Sequence, residues 1–228
     1  MTQSLDLLID ADDTLWENNI YYERVIAKVQ SLLLPYGVDP LVFRGHLNQT
    51  EREHIPVYGY GTVNFTRSLV ESFMEFVPDH VGTSAKNTVE AMALDILDHP
   101  LELLDGVPET LAYLSAHHSL FLVTKGDFRE QRRKIRDSGL RPYFKGVEIL
   151  DHKNEEIYRA LLTKHAWNPD RTWMIGNSPR SDINPAISAG MNAVYIPHPH
   201  TWTLEHEEPV RSPRLIELKS FADLRNRF

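Results

Sequence analysis

Clusters of residues able to do chemistry punctuate this sequence, each directly after a short apolar run. Leu7, Leu8 and Ile9 give way to Asp10, Asp12, Asp13 and Thr14. Leu120–Val123 is followed by Thr124 and Lys125, Gly146–Leu150 by Asp151 and Lys153, and Thr172–Ile175 by Asn177, Ser178 and Asp182. Carboxylate and amide oxygens suit a hard divalent cation such as Mg2+, and ammonium groups suit a phosphate. The chain contains no cysteine, which excludes thiolate zinc sites and cysteine nucleophiles.

Those apolar runs read as strands buried on both faces of a parallel sheet. Helical patterns separate them: Val107, Leu111 and Leu114; a basic helix from Asp127 to Ser138; Ile157, Leu161 and Leu162; and a helix near Ser181–Ala189. A strand at Ala193–Ile196 and a last strand–helix pair around Leu215–Leu224 finish the chain. Strands alternating with helices imply βαβ units and an α/β fold. Ligands of an open parallel sheet bind beyond the carboxyl ends of its strands, where the reactive clusters fall.

Residues 17–100 have a different rhythm. Ile20, Tyr22, Val25, Ile26, Val29, Leu32 and Leu33 keep the spacing of one helix face, which Pro35-Tyr36-Gly37 ends. A polar middle stretch follows. Two more helical patterns run through Val63, Phe65, Leu69, Val70, Phe73, Phe76 and Val77, and through Val89, Met92, Ala93, Ile96 and Leu97. The organisation expected is a core of residues 1–16 and 101–228 with an all-helical insertion at 17–100.

These residues carry a resemblance. Leu-Ile-Asp10-Ala-Asp12-Asp13-Thr14 resembles the first motif, DxDxT, of the haloacid dehalogenase-like hydrolase superfamily. Leu-Val-Thr124 resembles its second motif, Lys153 before Ile157-Tyr158 its third, and Ile175-Gly176-Asn177-Ser178-Pro179-Arg180-Ser181-Asp182 its fourth. All stand in the family's order, and the helical insertion lies where the family places a cap, as in its phosphoglycolate phosphatase-like branch.

The resemblance implies a Rossmann-like core with an α-helical cap, and a Mg2+-dependent phosphatase. Asp10 would be the nucleophile that forms an aspartyl-phosphate, and Asp12 the acid and base. Thr124 would hydrogen-bond the phosphoryl group, with Thr14 and Lys125 as further substrate contacts. Lys153 would neutralise the phosphoryl charge, with Lys145 as the alternative lysine. Asp10, the Asp12 main chain, Asn177 and Asp182 would hold the metal. Asp12 favours phosphate esters over haloacids, because a departing halide needs no acid and a departing alkoxide does.

In two places the sequence departs from the family pattern: Asn177 stands where a second acid is common, and Lys125 where Asn or Ser is common. The Lys125 ammonium either adds to phosphate binding or faces solvent. Competing readings are a phosphomutase, a catalytically weak metabolite-binding module and a dehalogenase.

The balance of 24 Lys+Arg against 32 Asp+Glu gives a net charge of −8. That argues against nucleic acid as a partner. No stretch approaches the ~18 apolar residues of a membrane span, and no secretory apolar region opens the chain. A cytoplasmic enzyme acting on a small phosphorylated metabolite is the expectation, with oligomeric state open. The basic face of Arg129, Arg132, Arg133, Lys134 and Arg136 reads as solvated. His198, His200 and His206 read as a surface loop. Arg44, His46, Arg52 and His54 in the polar stretch read as surface residues, or as a grip on the non-phosphate part of a substrate.

Overall fold

The structure, a computed structural model, describes residues 4–78, 80 and 82–228. Its centre is a parallel six-stranded sheet, ordered β3-β2-β1-β4-β5-β6. The strands are β1 (Asp6–Ile9), β2 (Ser119–Lys125), β3 (Gly146–Leu150), β4 (Thr172–Gly176), β5 (Asn192–Tyr195) and β6 (Leu215–Glu217). Strand β1 lies between β2 and β4, with Ile9 opposite Leu122 on one side and Ile175 on the other. The chain builds outward from β1 through β2 to β3, then returns to place β4 on β1's other side. The strand order therefore reverses at the β1–β4 pair, where a crevice opens at the carboxyl ends of such a sheet.

Alternation along the central strand explains its composition. Leu7 and Ile9 enter a core with Val107, Leu111 and Leu114 of α5 (Val107–His117) and with Phe221 and Leu224. Leu8 faces the opposite way, against Tyr158, Leu161 and Leu162 of α7 (Glu155–His165), with Met174 and Ala186. Side chains alternate across a strand, so a run buried on both faces must be apolar throughout. The remaining helices here are α6 (Phe128–Asp137) and the short α8 (Asn184–Ser188), which continues a π-helical turn at Pro179–Ile183.

The chain divides into two compact units, Met1–Glu17 with Leu101–Phe228, and Asn18–Pro100. The second unit is helical: α1 (Asn19–Leu33), α2 (Pro40–Tyr58), α3 (Thr62–Phe76) and α4 (Gly82–Leu94). Its core gathers Val25, Val29, Phe43, Leu47, Leu69 and Phe73. The polar middle stretch is the helix α2, not an irregular segment. Only Phe43, Leu47, Thr50 and Glu51 of its residues are buried, so its apolar periodicity is weak. Its local signal is the start: the Asp39 side chain accepts from Leu41 N at 2.7 Å, and Pro40 takes the first helical position. Around Leu215–Leu224 the strand forms, but a 3-10 helix at Phe221–Asn226 replaces the expected α-helix. No described helix is long and apolar enough to cross a membrane.

Candidate active site

The end of β1 is anchored first by its backbone: Asp10 N donates to Ile175 O of β4 at 2.9 Å. Beyond it the chain turns sharply, with Leu15 N donating to Ala11 O at 2.8 Å and Asp13 held at φ 59°. Asp is one of the few residues with a Cβ that visits this left-handed region readily. The turn brings Thr14 back over Asp10, and its hydroxyl reaches Asp10 Oδ2 (3.0 Å) and Asn177 Oδ1 (3.3 Å).

Lys153, from the loop after β3, completes this centre. Its Nζ lies 2.5 Å from Asp10 Oδ1 and 2.7 Å from Asp182 Oδ1, and all of these side chains are buried. Asp182 Oδ2 accepts from Ser178 N at 3.0 Å. Gly176 makes room for that carboxylate, since any Cβ there would run into Asp182. The structure thus brings Asp10, Thr14, Lys153, Asn177 and Asp182 together at the end of β1 and β4.

Electrostatics sharpen the picture. Two buried carboxylates share one ammonium. Burial, then the Asp182 charge, push the Asp10 carboxyl up to about 7, and Lys153 only partly offsets them. Burial opposes charge on Lys153 as well, yet the Asp10 and Asp182 carboxylates outweigh it and raise its pKa. The cluster is short of positive charge and rich in oxygen donors. The Asp10 and Asp182 carboxylates, with the Asn177 amide oxygen beside them, fit a hard cation such as Mg2+. Asn177 Nδ2 donates to Thr201 Oγ1 at 3.0 Å, which turns its oxygen toward Thr14 and Asp10.

Asp12 sits in a separate pocket of donors. Oδ1 accepts from Trp16 Nε1 (2.7 Å) and Lys134 Nζ (2.9 Å), and Oδ2 from Gln131 Nε2 (2.8 Å) and Lys134 Nζ (3.1 Å). Burial alone would raise its pKa, but the Lys134 charge and these hydrogen bonds together hold it below the usual carboxylate range. Thr124, also buried, donates to Gln131 Oε1 at 3.3 Å. Lys125 is held within the protein rather than facing solvent, its Nζ donating to Glu205 Oε1 (2.5 Å) and Ser181 Oγ (2.9 Å). Glu205 Oε2 accepts from Ser178 Oγ at 2.6 Å. Burial opposes ionisation of Glu205, but the Lys125 charge and the bonds from Lys125, Ser178 and Ser181 bring its carboxyl down to about 2. Lys145 donates to Ser119 Oγ, at the opposite end of β2 from Thr124.

Several of these partners were not expected from sequence. Lys134 belongs to a basic helix face read as solvated, yet it turns inward to Asp12. His198, expected on a surface loop, lies in the loop after β5 and is half-buried there, with Nδ1 3.8 Å from Asp13 Oδ1 and Nε2 3.4 Å from Glu17 Oε2. Gln131, Trp16, Thr201 and Glu205 had no role in the sequence reading. A Gln131–Lys134 spacing of three on one helix, just after the second motif, was the one local signal.

A family model for haloacid dehalogenase-like hydrolases matches residues 7–190, and the chain belongs to that family. Its core is the α/β, Rossmann-like sheet described above. A haloacid dehalogenase-like family hydrolase from Xanthomonas campestris is 29% identical, with a TM-score of 0.87 over 98% of this chain and 90% of that one. A phosphoserine phosphatase from Thermus thermophilus is 28% identical over 140 residues, 58% of this chain and 53% of that protein. L-2-haloacid dehalogenase from Xanthobacter autotrophicus shares the fold, with 14% identity and a TM-score of 0.65 over 98% of each chain. The chain spans about half the length of the curated relatives it matches.

Proposed function

We propose that this protein is a Mg2+-dependent phosphatase that cleaves a small phosphomonoester through an aspartyl-phosphate on Asp10. The observation that carries the reading is the pair of carboxylates in different settings. Asp10 is bridged by Lys153 to Asp182 at a cation-poor centre, and Asp12 is held ionised two residues on. The Lys153 ammonium, and a cation when one is bound, favour the ionised, nucleophilic form of Asp10, and the separate setting of Asp12 leaves it free to exchange protons. The similarity to a phosphoserine phosphatase supports the same chemistry. The phosphoglycolate phosphatase-like branch is one option within it, and residues 17–100 serve as the cap that sets specificity.

In the first half-reaction Asp12, ionised in the free enzyme, takes up a proton as the substrate binds; an Asp10 oxygen then bonds to phosphorus as the bond to the ester oxygen breaks, and Asp12 passes that proton to the ester oxygen. In the second, water attacks phosphorus, the Asp10–phosphorus bond breaks, and Asp12 takes the water's proton back. Lys153 offsets the repulsion between the Asp10 carboxylate and the phosphoryl oxygens, and Thr124 and Thr14 orient them. Asp10, Asp182, Asn177 and the Asp12 main chain would hold Mg2+, which when bound would neutralise charge at those oxygens. Lys125, committed to Glu205 and Ser181, supports the Ser178–Asp182 loop and reaches phosphate only if that pairing opens.

Phosphate release from a panel of small phosphomonoesters, in Mg2+ and in EDTA, tests this reading beside chloride release from 2-haloacids. The expected result is turnover of phosphomonoesters that EDTA abolishes, with no chloride release. Chloride release without phosphatase activity would move the assignment to the dehalogenases.

A further inference from the structure

We propose that Lys134 and Gln131 are positioning residues for Asp12, forming with Trp16 a dock that holds the acid–base carboxylate in register with the phosphoryl-binding Thr124. The inference rests on the phosphatase reading above. Both Asp12 oxygens are taken by donors, and Lys134 bridges them, at 2.9 and 3.1 Å. A bridging ammonium fixes the rotation of the carboxylate as well as its place. The Gln131 amide does something different. Its nitrogen donates to Asp12 Oδ2 and to Lys125 O, while its oxygen accepts from the Thr124 hydroxyl. One side chain thereby ties the first reactive cluster to the second.

The surrounding backbone is built to present these two residues. Asp127 caps α6, its side chain accepting from Arg129 N and Glu130 N at 2.9 Å each, which fixes where the helix starts. Gln131 and Lys134, three residues apart, then share one face. Gly126 adopts φ +143°, and a Cβ there would lie 2.9 Å from Gln131 Nε2. The bare glycine is what lets the amide close on Asp12. The neighbouring Arg129, Arg132 and Arg136 are exposed and Arg133 is half-buried like Lys134, so it is the Asp12 partner that distinguishes Lys134 on the basic face.

Lys134 touches no reacting atom in this scheme, so its effect must pass through Asp12. Leaving-group chemistry exposes that route. An aliphatic alkoxide needs the Asp12 proton to depart, whereas p-nitrophenolate departs without it. The value of kcat/KM reports the steps through phosphoryl transfer to the enzyme and excludes the later hydrolysis.

The test compares wild type, Lys134→Met and Lys134→Arg on an aliphatic phosphomonoester and on p-nitrophenyl phosphate, with Asp12→Asn as reference. In Lys134→Met, kcat/KM for the aliphatic ester is expected to fall by about 10- to 100-fold, and that for p-nitrophenyl phosphate by less than about threefold. Lys134→Arg should recover most of the loss, and Asp12→Asn should show the same bias toward the aryl ester. Lys134→Gln, read the same way, serves if Lys134→Met does not fold. Equal losses on both esters, or no loss on either, would overturn the inference while leaving the phosphatase reading intact. A wild type that turns over neither ester would overturn both.

Discussion

Lys153→Met is expected to destabilise the metal-free protein by about 3–5 kcal/mol and to abolish turnover. The ammonium bridges Asp10 and Asp182, and its side chain is 2% exposed. Methionine fills similar volume, so the loss is electrostatic rather than a cavity. Two buried carboxylates would be left with no ammonium between them, and the Asp182 charge opposes the ionisation of Asp10. The deficit should therefore be largest above neutral pH and shrink in acid, where Asp10 neutralises. Added Mg2+ should restore part of it, because a cation bound only by the folded state stabilises by mass action. Urea unfolding in EDTA and in Mg2+ measures both effects. A variant as stable as wild type in EDTA would contradict the charge arrangement at this centre.

Asp10→Asn is expected to lower kcat by at least ~10⁴-fold and yet to stabilise the metal-free protein above neutral pH. The folded-state carboxyl is raised from 3.8 to about 7 by burial and by Asp182. Between these values the folded protein retains a proton that the unfolded chain has released. Stability of the metal-free wild type therefore falls as pH rises through that window, and the loss is complete above the folded pKa. Asparagine carries no titrating proton and removes this contribution to the slope. Wild type and variant should be close near pH 5 and diverge by about 1–4 kcal/mol near pH 8, with the variant the more stable. Thermal or urea unfolding of EDTA-treated protein across that range is the check. A wild type that gains stability relative to the variant as pH rises would contradict it. Mg2+ should invert the order, because Asp10 then belongs to the ion's site.

The sheet was legible in the sequence because buried parallel strands announce themselves as short apolar runs, and each of the first four stops at a polar cluster. The helix α2 was hidden by its composition: four buried residues in nineteen carry little periodicity, and Pro56 lies within the helix. The residues at the strand ends were legible for the same reason the strands were. Their partners were not. Lys125 pairs with Glu205, 80 residues away, and Lys134 with Asp12, 122 residues away. Helical periodicity predicts that Lys134 lies on a polar face, but not that this face turns toward β1. The placement of His198 beside Asp13 and Glu17 likewise depends on how a loop folds back, which no local pattern encodes.

The central claim, a phosphoryl group carried on Asp10 and released by water, is tested most directly by a single turnover in water labelled with heavy oxygen. Enzyme in excess over a phosphomonoester would be reacted with Mg2+, and the label located by mass spectrometry in the released phosphate and in the Asp10 peptide. The account predicts label in the phosphate and none in Asp10, because water attacks phosphorus. Label in the Asp10 carboxylate would mean that water attacks the carboxyl carbon of an ester intermediate, which is dehalogenase-type chemistry and would contradict the phosphatase assignment.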